Sequence, residues 1–122
     1  MKLNWLFIFL GGGLGSLCRY YLSTLLNSKQ LHTIPWGTLL SNIIACLILG
    51  YAFCKVEKMS DQNDIWMYLI SIGFCGGFST FSTFSKENYD LFASGSYGIL
   101  FVYLALSLIL GFVGFIGGYS LG

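Results

Sequence analysis

The chain has 122 residues, of which 56% are hydrophobic and only 9% are charged, and its formal net charge is +1. A soluble domain carries roughly 25% charged residues, so the composition excludes an ordinary water-soluble domain and indicates that lipid covers much of the surface. The balanced charge gives no basic patch, and we therefore expect no nucleic-acid partner.

Four long stretches of the sequence contain no charged residue, namely residues 3–18, 30–54, 65–85 and 91–122. Each stretch approaches or exceeds the roughly 20 apolar residues that a helix needs to cross a bilayer. The sequence therefore predicts an all-α integral membrane protein, organised as a single four-helix transmembrane domain over residues 1–122.

The predicted transmembrane helices follow these stretches in chain order, at about residues 3–26, 35–54, 65–93 and 97–121. Pro35 is a favourable first-turn residue for the second helix. Residues 55–64 form a short segment with polar and charged side chains, and this segment is predicted to be a loop.

Small residues recur at helical spacing in these segments. Gly11 and Gly15 form one GxxxG pair, and Gly114 and Gly118 form another. A third stripe of small residues lies on the second helix, at Gly37, Ser41 and Ala45. Such stripes let helix backbones approach closely in lipid, so we expect tight helix packing along them.

The Lys and Arg residues give almost no orientation signal. Four crossings would place them on two sides, with Lys2, Lys55 and Lys58 on one and Lys29, Lys86 and, if it reaches the interface, Arg19 on the other. The positive-inside rule reads the difference between the two sides, and here it is near zero. Two interpretations remain open: one weakly specified orientation, or a chain that inserts both ways and pairs with an inverted copy.

Residues 73–85 are unusual for the middle of a membrane span because they are crowded with glycine and hydroxyl residues. Gly76-Gly77 beside Ser79-Thr80 predicts a break in the third helix. Lipid does not tolerate unpaired carbonyl groups, so the carbonyls that a break frees must be buried or bind something. Such carbonyls suit a hard cation such as sodium.

Beyond the predicted break, two faces of the helix carry candidate ligands. Hydroxyl groups and one cation follow a helical stripe, at Ser79, Ser82, Thr83 and Lys86. Phe81 and Phe84 lie three residues apart on a neighbouring face. The edge of an aromatic ring is positive, so ring edges and hydroxyl donors together suit a small anion. The alternative is that the hydroxyl groups bond locally and the phenylalanines fill the core.

Further polar residues lie within the predicted spans, where they are usually functional or paired. Asn42 lies midway along the second helix, and either a pore role or an interhelical hydrogen bond would explain it. Tyr103 and Ser107 share one face of the fourth helix. Arg19 lies late in the first helix and either snorkels to the interface or serves a pore.

The acidic residues are all assigned to loops or helix ends, at Glu57, Asp61, Asp64, Glu87 and Asp90. This placement argues against a proton-coupled pump and against a membrane protease with paired carboxylates. Four scattered cysteines and the single His32 make no metal cluster. Without a nucleophile–base pair or a metal cluster, no enzyme is predicted.

Three motifs resemble those of the Fluc/CrcB fluoride channels. Residues 76–84, GGFSTFSTF, resemble the GGxTTFSTF signature of that family, with Ser79 where the family usually has Thr. Residues 11–20 resemble its glycine-rich first helix ending in Arg. Residues 35–42 resemble its GTLxxN stretch, and all three motifs occur in the order and at the spacing of the family.

The resemblance implies an antiparallel, dual-topology homodimer in the cell membrane of a bacterium, with two pores that pass fluoride passively out of the cytoplasm and relieve its toxicity. It also implies a central, structural sodium ion held by the backbone carbonyls of Gly76 and Ser79. The pore residues that it implies are Asn42, Phe81, Phe84, Ser82, Thr83, Tyr103, Ser107 and Arg19.

Two other membrane functions compete with the channel. A small multidrug transporter would need a glutamate embedded in the first helix, and residues 3–26 contain none. An accessory subunit without transport activity would predict that Asn42, Phe81 and Phe84 can be freely replaced by residues of similar size.

Overall fold

The computed structural model describes residues 3–27, 33–59 and 65–122, and these residues are predominantly helical. Helix α1 covers Asn4–Leu26 and α2 covers Trp36–Lys58. Helix α3 (residues 67–78) consists of a π-helical stretch, Met67–Cys75, and one α-helical turn, Gly76–Phe78. Helices α4 and α5 cover Phe81–Ala93 and Tyr97–Leu121. The all-helical prediction is therefore confirmed.

Helix α2 is longer than predicted. It continues to Lys58, so Lys55 and Lys58 belong to its last turn and not to a loop. Two cations are favourable there because the C-terminal end of a helix carries partial negative charge. His32, Lys2, Lys29, Asp61 and Asp64, which the sequence assigns to loops or ends, lie outside the described residues.

The predicted break in the third helix is confirmed, but the glycines do not form it. Ser79 and Thr80 are extended, with ψ angles of 158° and 123°, whereas Gly76 keeps a helical φ of −63°. The hydroxyl of Thr80 accepts the backbone N–H of Thr83 at 3.1 Å. Thr80 is thus the N-cap residue of α4, and a Thr side chain is well suited to that position.

Glycines allow α1 to lie directly against α3. A Cβ atom on Gly11 would overlap the carbonyl oxygen of Leu69, and one on Gly15 would overlap that of Phe74. On the facing helix, a Cβ atom on Gly77 would overlap the carbonyl oxygen of Gly12. The close packing expected for the first GxxxG pair is confirmed.

Helices α2 and α5 meet in the same way. A Cβ atom on Gly118 would overlap the carbonyl oxygen of Leu47, and one on Gly50 would overlap that of Phe115. Gly114 faces the carbonyl oxygen of Ile43, which a Cβ atom would approach to 3.2 Å. The second predicted GxxxG pair therefore also lies at a helix contact.

A tight turn reverses the chain between α4 and α5. Gly95 has a φ of 76°, a left-handed conformation that glycine adopts without steric cost. The N–H of Gly95 bonds to the carbonyl of Phe92, and the N–H of Ser96 bonds to that of Leu91. This is a Schellman motif, and it folds α5 back towards α4.

The buried core joins α2, α4 and α5. Its central residues are Leu39, Leu91 and Tyr103, each at most 3% exposed, and Phe84 packs against them. Phe84 therefore has one side in the core, while the other side faces the cavity described below.

Three helical stretches among the described residues are long and apolar enough to cross a membrane: Trp36–Lys58, Met67–Ala93 and Tyr97–Leu121. Helix α1 has 23 residues, but Asn4, Arg19 and four glycines lower its hydropathy, and its crossing stays a prediction. Large apolar side chains point outward, including Phe9, Leu25 and Leu108, each at least 70% exposed. Lipid is the natural solvent for such a surface.

Candidate functional site

The break between α3 and α4 is held by one side chain from α2. The Asn42 Oδ1 atom accepts the backbone N–H of Thr80 at 2.7 Å, and the Nδ2 group of Asn42 donates to the carbonyl of Thr80 at 3.2 Å. The amide thus pairs with both main-chain groups of the extended residue. Of the two sequence interpretations of Asn42, the interhelical hydrogen bond is present, and the same side chain also borders a cavity.

Two carbonyl groups at the break lose their helical donors. In a continuous helix the N–H of Thr80 would bond to the carbonyl of Gly76, but it donates to Asn42 instead. The N–H of Thr83 would likewise bond to the carbonyl of Ser79, but it donates to the hydroxyl of Thr80. These are the two carbonyls that the sequence resemblance assigns to sodium, and that assignment stays a prediction.

An open cavity of about 250 Å³ adjoins the break. It is bordered by α2, the break, α4 and α5, and its lining residues are Asn42, Cys46, Ser79, Thr80, Phe81, Phe84, Ser107, Leu108 and Gly111. Asn42, Phe81, Phe84 and Ser107, which the sequence selected separately, therefore meet around one space. No fully charged side chain is among the described residues that line it.

Aromatic rings form one wall of this cavity. The ring centroids of Phe81 and Phe84 lie 6.0 Å apart, and Phe84 lies 5.1 Å from Tyr103 on its other side. Phe84 is thus fixed by packing, whereas Phe81 is 80% exposed. An aromatic ring of this size is rarely left without a neighbouring surface, so lipid or another protein must cover Phe81 in the membrane.

Ser107 is the best-placed hydroxyl for a ligand in the cavity. Its Oγ atom is buried and has no hydrogen-bond partner among the described residues. A buried, unpaired hydroxyl is unfavourable by roughly 1–3 kcal/mol, and a bound ion or water in the adjoining cavity would remove that cost.

The remaining predicted pore residues lie near the cavity but do not line it. The hydroxyl of Ser82 lies 3.3 Å from that of Thr80, and Thr83 belongs to the capped first turn of α4.

Ser79 is not part of a continuous hydroxyl stripe, because it is extended and its own hydroxyl donates to the carbonyl of Cys75 at 2.7 Å. The stripe predicted from helical spacing is therefore interrupted at its first member.

Arg19 reaches the break from α1. Its Nε atom donates to the carbonyl of Gly77 at 3.1 Å, so the guanidinium lies at the C-terminal end of α3, where a cation is favourable. The sequence left two interpretations of Arg19 open, snorkelling to the interface or a pore role, and this contact with the main chain is neither of them. Arg19 satisfies one carbonyl that the break exposes, next to the carbonyl of Gly76, whose helical donor bonds to Asn42.

The assignment of every acidic residue to a loop or helix end is wrong for Glu87. Glu87 lies in the middle of α4, within the stretch that is long enough to cross a membrane. Its carboxylate accepts the hydroxyl of Thr38 at 2.6 Å and that of Tyr103 at 2.7 Å. The helix predicted over residues 65–93 already contains Glu87, but its charge was assigned to the end of that helix.

This Thr38–Glu87–Tyr103 network is the main feature that sequence reasoning missed. Thr38 and Tyr103 are completely buried. The Nδ2 group of Asn27 donates to the hydroxyl of Thr38 at 3.4 Å, which adds Asn27 to the network. A usable signal exists: Glu87 lies three residues after Phe84, and residues at that spacing share a helix face. The hydroxyl of Tyr103 is therefore committed to Glu87, although its ring supports the cavity wall.

Comparison with known families adds a match over nearly the whole chain. Residues 6–119 match the family described as CrcB-like protein, Camphor Resistance (CrcB).

Individual relatives cover most of the chain as well. A protein of Phocaeicola vulgatus named fluoride-specific ion channel FluC is 42% identical over 109 residues, which is 89% of each chain. Proteins with the same name from Bacteroides fragilis and Pyrococcus abyssi are 38% identical over 120 residues and 41% identical over 115 residues. These alignments cover 96% and 91% of the present chain and 94% and 92% of the relatives.

Proposed function

Because the chain belongs to the CrcB family, we propose that it is a fluoride-selective ion channel, the activity named for its relatives. The chain is a multi-pass membrane protein with bacterial homologues, and the family is one of ion channels, not enzymes. In a cell membrane the channel passes fluoride passively out of the cytoplasm and so relieves fluoride toxicity.

The cavity beside the helix break is the observation that carries this proposal. Asn42, Ser107, Phe81 and Phe84 border it together, and they offer an amide, a hydroxyl and the positive edges of two rings. Fluoride is small and strongly hydrated, so a selective path must replace its water with such donors. Because none of these groups carries a full positive charge, the ion binds strongly enough to enter and weakly enough to leave.

The other implied pore residues extend this site along the proposed path. Ser82 and Thr83 supply hydroxyl groups in the first turn of α4, next to Phe81 and Phe84. Tyr103 supports Phe84, and Arg19 places a positive charge near the break without entering the cavity. That charge attracts an anion, while the donors in the cavity select it.

The proposed assembly is an antiparallel, dual-topology homodimer with two pores. One chain leaves its cavity open on one side, Phe81 is 80% exposed, and Gly76 is exposed with space beside it for a Cβ atom. A second copy would cover both residues and close the cavity. The two-fold axis would repeat every site, which gives one pore for each subunit.

The dimer also supports a structural sodium ion, which is not transported. The carbonyls of Gly76 and Ser79 lack their helical donors, and carbonyl oxygen is a suitable ligand for this hard cation. Two carbonyls cannot replace the hydration shell of the ion, but an inverted copy would bring two more to the same axis. Sodium would then neutralise carbonyl dipoles that face each other across the subunit interface.

Fluoride efflux from liposomes tests the proposed function directly. The purified chain is reconstituted, and loss of fluoride is followed with a fluoride electrode, with chloride loss as the selectivity control. We expect fast fluoride loss without chloride loss. Phe81→Ile removes the ring edge and Asn42→Asp places a carboxylate beside the anion path, so each should slow fluoride loss by at least about tenfold, or about 1.4 kcal/mol in barrier height.

Phe9→Ile is the matched control because Phe9 is an exposed phenylalanine of α1 that does not line the cavity. It should leave the efflux rate unchanged. Absence of fluoride loss from correctly assembled protein would refute the channel and favour an accessory subunit. Equal loss in all three variants would show that the cavity is not the path.

A further inference from the structure

A second cavity lies between the C-terminal half of α2 and the beginning of α3. This groove has a volume of about 310 Å³ and is lined by Ile48, Tyr51, Ala52, Lys55, Val56, Met59, Trp66 and Ile70. It shares no residue with the cavity at the helix break. Neither the family match nor the proposed channel assigns it a role.

The chemistry of the groove is apolar with a single cation. Apart from Lys55, every lining side chain is aliphatic, aromatic or a thioether. The Nζ atom of Lys55 lies 5.4 Å from the centroid of the Tyr51 ring, and Lys55 makes no ion pair among the described residues. The ammonium group is therefore held at the groove without an anionic partner from that part of the chain.

The neighbouring charged residues of α2 are engaged elsewhere. The Nζ atom of Lys58 donates to the carbonyl of Gly122 at 2.8 Å. The carboxylate of Glu57 accepts the hydroxyl of Tyr119 at 2.5 Å. Both contacts tie the end of α2 to the end of α5, on a different side of α2 from the groove. Among the described residues that line the groove, Lys55 is thus the cation that remains for a ligand.

The position of the groove matches the boundary between lipid and water. Lys55 lies in the last turn of α2, and Tyr51 and Trp66 are aromatic residues of the kind found at the level of lipid headgroups. Ile48 lies seven residues before Lys55, which places it roughly 10 Å deeper along the helix axis. The groove therefore runs from a cation at the membrane surface to aliphatic side chains in the hydrocarbon region.

We propose that this groove binds an anionic phospholipid, with one acyl chain between α2 and α3 and the phosphate group beside Lys55. Basic pockets between transmembrane helices bind anionic headgroups by this combination of charge and apolar depth. Gly76 and Phe81, the residues that the proposed dimer would cover, do not line it.

Quenching of Trp66 fluorescence by brominated lipid tests this proposal. Trp5→Phe and Trp36→Phe leave Trp66 as the single tryptophan of the full chain. The protein is placed in bilayers that contain a minor fraction of brominated phosphatidylglycerol in phosphatidylcholine, or brominated phosphatidylcholine in phosphatidylglycerol. Because one lysine near a surface attracts anionic lipid appreciably, association should favour phosphatidylglycerol by about fivefold.

Two variants separate the headgroup contact from the acyl contact. Lys55→Gln should abolish the preference for phosphatidylglycerol, whereas Lys58→Gln, one turn along and outside the groove, should retain it. Ala52→Phe fills the groove while keeping Lys55, and it should reduce quenching by both lipids. Elution as a single species in size-exclusion chromatography shows that each variant is folded.

Equal quenching by the two lipids in the parent would overturn the proposal, because the headgroup would then not be selected. Equal effects of Lys55→Gln and Lys58→Gln would also overturn it, since general surface charge would explain the preference. Negligible quenching by either lipid would show that protein covers the groove, which is incompatible with a bound phospholipid.

Discussion

Asn42 has two roles, since it bonds the break between α3 and α4 and also borders the cavity. Its amide pairs with the N–H and the carbonyl of Thr80, which satisfies main-chain groups that lipid would leave unpaired. The same amide borders the cavity that we assign to fluoride. A change at Asn42 therefore affects both the stability of the break and the path of the ion.

The stabilising part of this role can be measured separately from transport. Asn42→Ala leaves two main-chain groups of Thr80 without partners, at a cost of roughly 1–3 kcal/mol each. We expect a clear fall in the melting temperature of the detergent-solubilised protein. Asn88→Ala is the control, because the one side-chain hydrogen bond of Asn88 among the described residues goes to the carbonyl of Phe84 in its own helix. Equal melting temperatures for the two variants would contradict the bridging role of Asn42.

Glu87 shows how burial changes the meaning of a charged residue. Its carboxylate is held by the hydroxyls of Thr38 and Tyr103, so three helices contribute to one polar network inside the bundle. A half-buried carboxylate that has two charge-assisted hydrogen bonds is well satisfied. The network links the core to Phe84 through Tyr103, and it thereby fixes the wall of the candidate anion site.

At the level of helices, glycine determines how closely the backbones approach. The contacts of Gly11 and Gly15 with α3, and of Gly50 and Gly118 between α2 and α5, all place a glycine against a main-chain carbonyl. A carbonyl cannot rotate away as the end of a side chain can. These contacts therefore set the positions of α2 and α3, the two helices that position the break and the lipid groove.

A pair of glycines one residue apart in α5 provides a matched test of this packing. Gly118→Ala places a Cβ atom against the carbonyl of Leu47, and such overpacking costs about 1–3 kcal/mol. Gly117→Ala meets nothing within 4 Å and should gain helix propensity of up to about 1 kcal/mol. Thermal unfolding in detergent should show a lower melting temperature for Gly118→Ala only. A similar loss in both variants would mean that close packing is not the reason for Gly118.

At the level of the whole molecule, a single chain leaves the surface beside the helix break uncovered. Phe81 and Gly76 are exposed beside the break, and the Lys and Arg residues do not specify an orientation. An inverted second copy accounts for both features at once. Without a partner, Phe81 would face lipid and the cavity would have no second wall.

Dual topology predicts a specific labelling result. Met59 is exposed directly after α2, and Met59→Cys in a Cys18→Ser background keeps every charge and gives a thiol that a membrane-impermeant maleimide can reach from one side. In intact cells about half of the chains should react, because opposite orientations are equally favourable when no charge bias exists. Permeabilised cells should show complete labelling, and the Cys18→Ser chain alone serves as the blank. Complete or absent labelling in intact cells would establish a single orientation.

The sequence by itself determined the membrane class, the order of the helices, the presence of a break and four of the nine residues that line the cavity. These features depend on composition, helical spacing and local chemistry, which the chain carries at every position. Helix α5 was predicted with its observed bounds, because its whole length is uncharged and apolar. Asn42 and Ser107 were selected as polar groups within a predicted span, and Phe81 and Phe84 as ring edges beside hydroxyl groups. The resemblance to the channel family then implied a pore role for all four.

Only the tertiary structure decided where the break lies, which side chain bonds its main-chain groups and which polar side chains pair with one another. The break occurs at Ser79 and Thr80 because Asn42, 38 residues earlier, captures the N–H of Thr80. Glu87 became an interior residue because Thr38, 49 residues earlier, meets it with a hydroxyl. Contacts over such separations depend on helix crossings, which the glycine–carbonyl contacts set, and local spacing along the chain does not contain them.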